Sequence, residues 1–148
     1  MASTEIRRIR KVDCTQFLET GNPKFDYDHN GNKLNLGFYY RRDKSGRYES
    51  YVLEDKGKIF GVLCIQKQVD SLYLSRLGIQ KNHQRQHHGA QLLKFTILRA
   101  IELKLNKVHL KTVAENIPFY EALGFKVVRK YRDSYWGESA TMELTFRT

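Results

Sequence analysis

An α/β chain of the α+β kind is predicted, with a central mixed sheet of six to seven strands flanked by helices in a single domain over residues 1–148. Three observations carry that prediction. Strand-like runs rich in β-branched and aromatic residues recur along the chain, separated by clusters of Gly, Asn, Asp and Pro. One long stretch, Ala90–Leu105, has helical periodicity instead. A strand-like run, Leu72–Ile79, leads through a short polar segment into that helix, so strand, turn and helix follow one another directly.

In chain order, residues 5–12 read as a short strand, and Asp13 suits the N-cap of a helical turn through Thr15–Glu19. Residues 21–37 are crowded with Gly, Asn, Asp and Pro and read as a loop with room for a short helix. Arg47–Glu54 and Lys58–Lys67 form a hairpin across Asp55-Lys56-Gly57, and Leu72–Ile79 joins them through Val69-Asp70-Ser71. In the main helix Leu92, Leu93, Thr96, Ile97, Ala100 and Leu103 share one face, as packing on a sheet requires. Phe95, Leu98 and Ile101 lie outside that face, so another element or a partner chain must cover the outer side; a homodimer is one of the expected assemblies. Lys107–Val113 is a strand, Pro118–Leu123 a short helix stopped by Gly124, and Phe125–Arg132 and Ala140–Arg147 a final hairpin.

Composition narrows the class. A chain of 148 residues buries roughly 68–70% of its unfolded surface, enough for a real core. It has 41% hydrophobic residues but no apolar run long enough for a bilayer, and Met1–Arg8 lacks the apolar stretch of a secretory signal, so a soluble cytoplasmic protein with no membrane partner is expected. Two cysteines, Cys14 and Cys64, form no framework and no metal spacing, which suits reduced thiols. The net charge of +10 fits a polyanionic ligand or partner, whether a phosphorylated cofactor, RNA or an acidic protein, without choosing among them.

The richest segment is Gln84-Arg85-Gln86-His87-His88-Gly89-Ala90, between the strand Leu72–Ile79 and the main helix. The first turn of a helix has N–H groups without intrahelical acceptors, and the aligned peptide dipoles add about half a positive charge there. Polar and small residues at that point make a site for a diphosphate. This segment resembles the acetyl-CoA signature of the GCN5-related N-acetyltransferase (GNAT) family, Gln/Arg-x-x-Gly-x-Gly/Ala, with Gln84 first, Gly89 last and His87 where the family usually has its first glycine. A second match, Asn116…Phe119-Tyr120-Glu121…Gly124-Phe125, follows at the family's spacing.

The resemblance implies the GNAT fold, a mostly antiparallel sheet with split parallel strands at the cofactor site. It also implies an acyltransferase using acetyl-CoA as co-substrate and an amine-bearing acceptor: a small molecule, a protein or aminoacyl-tRNA. By that resemblance the backbone of Leu77, Gly78 and Ile79 binds the pantetheine arm, and Gln84, Arg85, Gln86, His87, His88, Gly89 and Ala90 hold the diphosphate. Asn116 binds the cofactor or the strand end, and Tyr120 is the general acid for the departing thiolate. His87 is expected to tolerate the turn because helical φ and ψ need no glycine. Arg76-Leu77-Gly78-Ile79 with the Gln-led turn also resembles a bacterial branch whose toxin-type members acetylate aminoacyl-tRNA. The competing class is a catalytically degenerate member that binds nucleic acid or protein through its basic surface.

A general base is not identified: Glu54, Asp70, Glu115 and Glu138 all lie near strand ends, where solvated acids are common. His83 and His87 have the four-residue spacing of a zinc pair but no third ligand, so no metal is expected. Asp26-Tyr27-Asp28-His29-Asn30-Gly31 opens like a calcium loop, yet its twelfth position is Gly37, and Asx turn chemistry explains the acids more simply.

Overall fold

The computed structural model describes residues 4–147, and a single sheet forms their centre. Its strands are β1 (Thr4–Arg8), β2 (Glu49–Asp55), β3 (Lys58–Lys67), β4 (Leu72–Ile79), β5 (Lys107–Val113), β6 (Lys126–Asp133) and β7 (Gly137–Thr145). They lie in the order β1-β2-β3-β4-β5-β7-β6. Every neighbouring pair is antiparallel except β4 and β5, which are parallel. A parallel pair needs a crossover, and the long helix α3 (His88–Glu102) supplies it. Three shorter helices complete the fold: α1 (Pro23–Asp26), α2 (Gly37–Lys44) and α4 (Ile117–Glu121).

Side chains of a strand alternate between the two faces, and here both faces are covered. Tyr51, Leu53, Leu63 and Ile65 point into one core with α3, while Val52, Val62 and Cys64 point into the other with Leu36 and Tyr39 of the α2 side. Leu92, Leu93, Thr96 and Ala100 of α3 are buried on the sheet, as its periodicity predicts, with Ile97 and Leu103 half-buried beside them. On the outer side, Phe95 stacks edge-on to Tyr51 at 4.7 Å, and Arg99 pairs with Glu49 of β2 at 2.8 Å. Leu98 and Ile101 stay 61% and 40% exposed, so no element among the described residues covers the end of that face.

The N-terminal third departs from the expected plan. β1 ends at Arg8, and Asp13 closes a single 3₁₀ turn, Lys11–Asp13, instead of capping a helix. Its carboxylate accepts from the Arg10 N–H at 2.7 Å and from both terminal nitrogens of Arg7 at 2.9 Å, so the guanidinium fork holds the acid the N-cap role required. Thr15–Glu19 is not helical; Phe17 makes an isolated bridge with Asn35. Helix α2 was not anticipated. It begins at Gly37, where the loop reading of residues 21–37 ends, and runs through a stretch given no assignment from sequence; burial of Leu36, Gly37 and Tyr39 against the sheet fixes it. α3 also starts two residues earlier than periodicity suggests, and β7 starts at Gly137.

Among the described residues, no helix is long and apolar enough to cross a membrane. Leu93, 1% exposed between α3 and the sheet, is a direct test of this packing. Leu93→Ala is expected to cost about 2–5 kcal/mol, read as a lower urea midpoint with an unchanged slope.

Candidate active site

The site begins with a defect in β4. Cys64 of β3 pairs with Arg76 and Ile65 with Leu74, which leaves Ser75 as an extra residue. A bulge of this kind bends its strand and increases the local twist. The parallel pairing of β4 with β5 covers only Leu72–Leu74 against Val108–Leu110 and stops at that bulge. Beyond it the two strands part. One edge of Leu77–Ile79 faces a cleft of about 900 Å³ while the other stays paired to β3. Free N–H and C=O groups on such an edge hydrogen-bond an extended ligand as a strand would.

Leu77, Gly78 and Ile79 line this cleft together with Gln84, Arg85, His87, His88, Gly89 and Ala90. Gln86 is exposed and is not among the lining residues. The Gln84 amide donates to Ile79 O at 3.0 Å and to Thr20 O at 2.7 Å, which ties the turn to the end of β4 and to the loop before α1. Arg85 and His87 have φ of 62° and 67°, both in the left-handed region. The expectation that His87 sits in a helical backbone is therefore corrected. Its φ of 67° and ψ of 12° reverse the chain just ahead of α3, at the position where the family's glycine is free of the Cβ penalty. Turns that mix left- and right-handed residues aim successive N–H groups into one concavity, an anion nest, and the first turn of α3 adds its own. Lys81, Arg85 and three histidines line the cleft against one carboxylate, Glu115. His83 and His88 also pack on the Phe60 ring at 4.5 and 4.8 Å.

Two glycines let neighbours come close. A Cβ on Gly78 would stand 2.5 Å from the Phe25 ring, so only glycine admits α1 against β4. A Cβ on Gly89 would meet the Phe119 ring at 3.2 Å, so the bare backbone at the start of α3 is packed by α4 as well as open to the cleft.

Tyr120 stands where this cleft meets a second one of about 290 Å³, and it lines both, as do Asn116, Leu77, Asn22 and Phe25. α4 fixes it. Gly124, at φ 98°, turns the chain so that the Phe125 N–H reaches Tyr120 O at 3.1 Å, the helix-stopping geometry expected of Gly124. Phe119 and Phe125 flank the ring edge-on at 5.0 and 5.8 Å. Burial pushes its phenol up to about 12, since a phenolate would lose its hydration. Asn116 caps α4 without a side-chain bond to it, which leaves its amide for the clefts.

Of the four carboxylates near strand ends, Glu54 pairs with Arg7, Asp70 with Lys107 and Glu138 with Arg132, all away from either cleft. Glu115 alone lines one. Sequence reasoning missed the second cleft almost entirely. Arg42 of α2, Arg76 of β4, Lys111 of β5, and Asp133 and Trp136 of the β6–β7 hairpin converge there from four segments. The one legible signal was the alternation of β4, which puts Arg76 on the face opposite Leu77. The acids of the calcium-like loop act locally. Asp26 accepts from the Thr20 and Gly21 N–H groups, and Asp28 from Asn30 and Asn32.

A sheet split beside a strand–turn–helix cradle is the architecture of the GNAT fold. The family described as the acetyltransferase (GNAT) domain matches residues 32–146, and the chain belongs to it. Over 96 residues it is 35% identical to N-alpha-acetyltransferase 30 of Dictyostelium discoideum; the match covers 60% of this chain and 52% of that one. The chain thus spans about half the length of that curated relative. Similar solved structures include the ribosomal-protein-S18-alanine N-acetyltransferase of Escherichia coli, with TM-score 0.75, 19% identity and coverage of 99% of this chain and 96% of that one. Another is yncA of Salmonella typhimurium, solved with its cofactor acetyl-CoA, with TM-score 0.76, 19% identity and coverage of 99% and 95%. At such identities the likeness is one of fold.

The left-handed His87 provides a test of the turn. A Cβ in that region costs about 1–2 kcal/mol, more for a β-branched residue. His87→Gly is expected to hold or raise the urea midpoint, and His87→Val to lower it.

Proposed function

We propose that this chain transfers the acetyl group of acetyl-CoA to a primary amine by direct attack of the amine on the thioester. The observation that carries the reading is the meeting of two clefts at Tyr120. One is lined by backbone and cations suited to a diphosphate-bearing strand-like ligand; the other opens opposite it. Bound acetyl-CoA would supply an activated acetyl group. The residues present fit it: the unpaired edge of β4 from Leu77 to Ile79 matches an amide-bearing arm, and the turn and α3 N-terminus match the diphosphate.

Tyr120 then has one task at one atom. Its hydroxyl lies on the border of the clefts and donates a proton or hydrogen bond to the thiolate as it departs. A phenol held near 12 stays protonated through the whole neutral range, so the donor is always loaded. The acceptor amine enters from the second cleft. The N-alpha-acetyltransferase relative and the S18-alanine N-acetyltransferase likeness support an α-amino group as the acceptor. Acetyl-CoA-driven catalysis is favoured over a purely basic binding surface because a binding module needs no second cleft at the thioester position.

Two outcomes are expected. Acetyl-CoA at about 100 times its Kd should stabilise the protein by about 2.7 kcal/mol, visible as a rise in Tm; no shift at millimolar acetyl-CoA would leave the basic-surface module as the better reading. Tyr120→Phe, which keeps the packed ring, should lower kcat about 10²-fold with little change in acetyl-CoA affinity. Because burial raises this pKa, the proton is lost only as pH climbs toward about 12, so wild-type kcat should show no alkaline loss from Tyr120 below about pH 10. A Tyr120→Phe enzyme with wild-type turnover would reduce the residue to packing.

A further inference from the structure

The second cleft carries charge that the fold does not neutralise. Arg42, Arg76 and Lys111 line it, and Asp133 is the one carboxylate that does. Among the described residues none of the three cations forms an ion pair; the ten ion pairs present all lie elsewhere. Both guanidinium groups are half-buried and held by neutral partners. Arg76 donates to Tyr39 Oη at 3.0 Å and to Phe25 O at 2.6 Å, with its charge 4.1 Å above the Phe25 ring. Arg42 donates to Ser75 Oγ at 3.0 Å and lies 4.6 Å over Phe38 and 4.8 Å over Tyr48. Aromatic faces and neutral oxygens fix these charges in place without cancelling them.

Asp133 does not restore the balance. Its Oδ1 accepts the N–H groups of Tyr135 and Trp136, both at 2.8 Å, as part of the hairpin turn. Those bonds hold its carboxyl below the usual range, which makes it a poor proton acceptor. Outside the lining, the hairpin touches the segment around α1: Tyr135 stacks on His29 at 4.2 Å, and the Lys24 ammonium lies 5.7 Å over its ring. A cleft of about 290 Å³ bounded in this way admits a small molecule or a chain end.

Resting on the proposed acetyl transfer, we infer that the acceptor is a small primary amine carrying an anionic group, a carboxylate or a phosphate, which docks on Arg42, Arg76 and Lys111. The same cations serve the chemistry. A positive field disfavours the ammonium form of the acceptor, so the attacking amine loses its proton to solvent more readily and no carboxylate base is required at the bond-forming atom. The amine nitrogen bonds to the acetyl carbon, the carbon–sulfur bond breaks, and the thiolate takes its proton from the Tyr120 side.

The test compares paired acceptors, one with and one without an anionic group, at saturating acetyl-CoA. 3-Aminopropanoate is set against 3-aminopropanamide, O-phosphoethanolamine against ethanolamine, and the C-terminally amidated tripeptide Ala-Glu-Ser against amidated Ala-Gln-Ser. At least one anionic member is expected to exceed its neutral partner tenfold or more in kcat/KM, and the pair that does so identifies carboxylate, phosphate or peptide acid as the source. Lys111→Glu, on an exposed strand position of β5, should cut that preference at least tenfold and leave the acetyl-CoA Kd unchanged; Lys111→Gln should give an intermediate loss if the reversed charge impairs folding. Equal or better turnover of neutral amines overturns the inference but leaves acetyl transfer standing. No turnover of any member overturns the inference too, and acetyl-CoA binding in the same samples then decides whether the proposed function survives.

Discussion

One extra residue in a strand organises this molecule. Ser75 has no place in the β3–β4 ladder, and the parallel pairing of β4 and β5 ends beside it. Unpaired backbone edges inside a sheet are costly unless something hydrogen-bonds them, so the parting is stable only as a binding groove. Everything needed for the proposed reaction borders that gap. The turn leading to α3 closes one end, α4 brings Tyr120 to its border, and α1 and α2 bring Phe25 and Arg42 to the other side. Because β3, β4 and α3 share the main core, the gap is framed by the most tightly packed part of the chain.

Electrostatics divides the gap into two compartments. In both, Lys and Arg side chains outnumber carboxylates, but the source of positive potential differs. On the proposed cofactor side, it comes from helix and turn N–H groups as well as from Lys81 and Arg85. On the acceptor side it comes from guanidinium groups laid on aromatic faces. Between them lies a phenol whose burial keeps it neutral. A neutral donor between two positive compartments suits a reaction in which negative charge develops on sulfur, since that charge is stabilised from both sides.

The turn proposed to hold the diphosphate has a conformational cost. Arg85 and His87 both adopt left-handed backbone that side-chain-bearing residues avoid, and neither is glycine. The turn is held by the Gln84 amide and by the His83 and His88 rings packed on Phe60, so side chains supply what flexible glycines would otherwise provide. Local strain maintained by surrounding contacts is typical of sites that bind through the backbone.

Apolar and β-branched runs bounded by turn residues determined β2, β3, β4, β5 and the final hairpin, because a strand's composition and its end signals are contiguous in sequence. The strand–turn–helix segment and the Asn116–Phe125 segment determined the family and the position of Tyr120, because both motifs are contiguous in sequence. What only the tertiary structure decided is contact between distant segments. Arg7 captured Asp13 and removed its capping role; burial of Leu36 and Tyr39 fixed a helix where the sequence pattern placed none; and Gly78 was needed by Phe25, far away in sequence. The acceptor cleft belongs to this second kind. Its residues come from α1, α2, β4, β5 and the last hairpin, and no periodicity or spacing within one segment records which of them will face a common space.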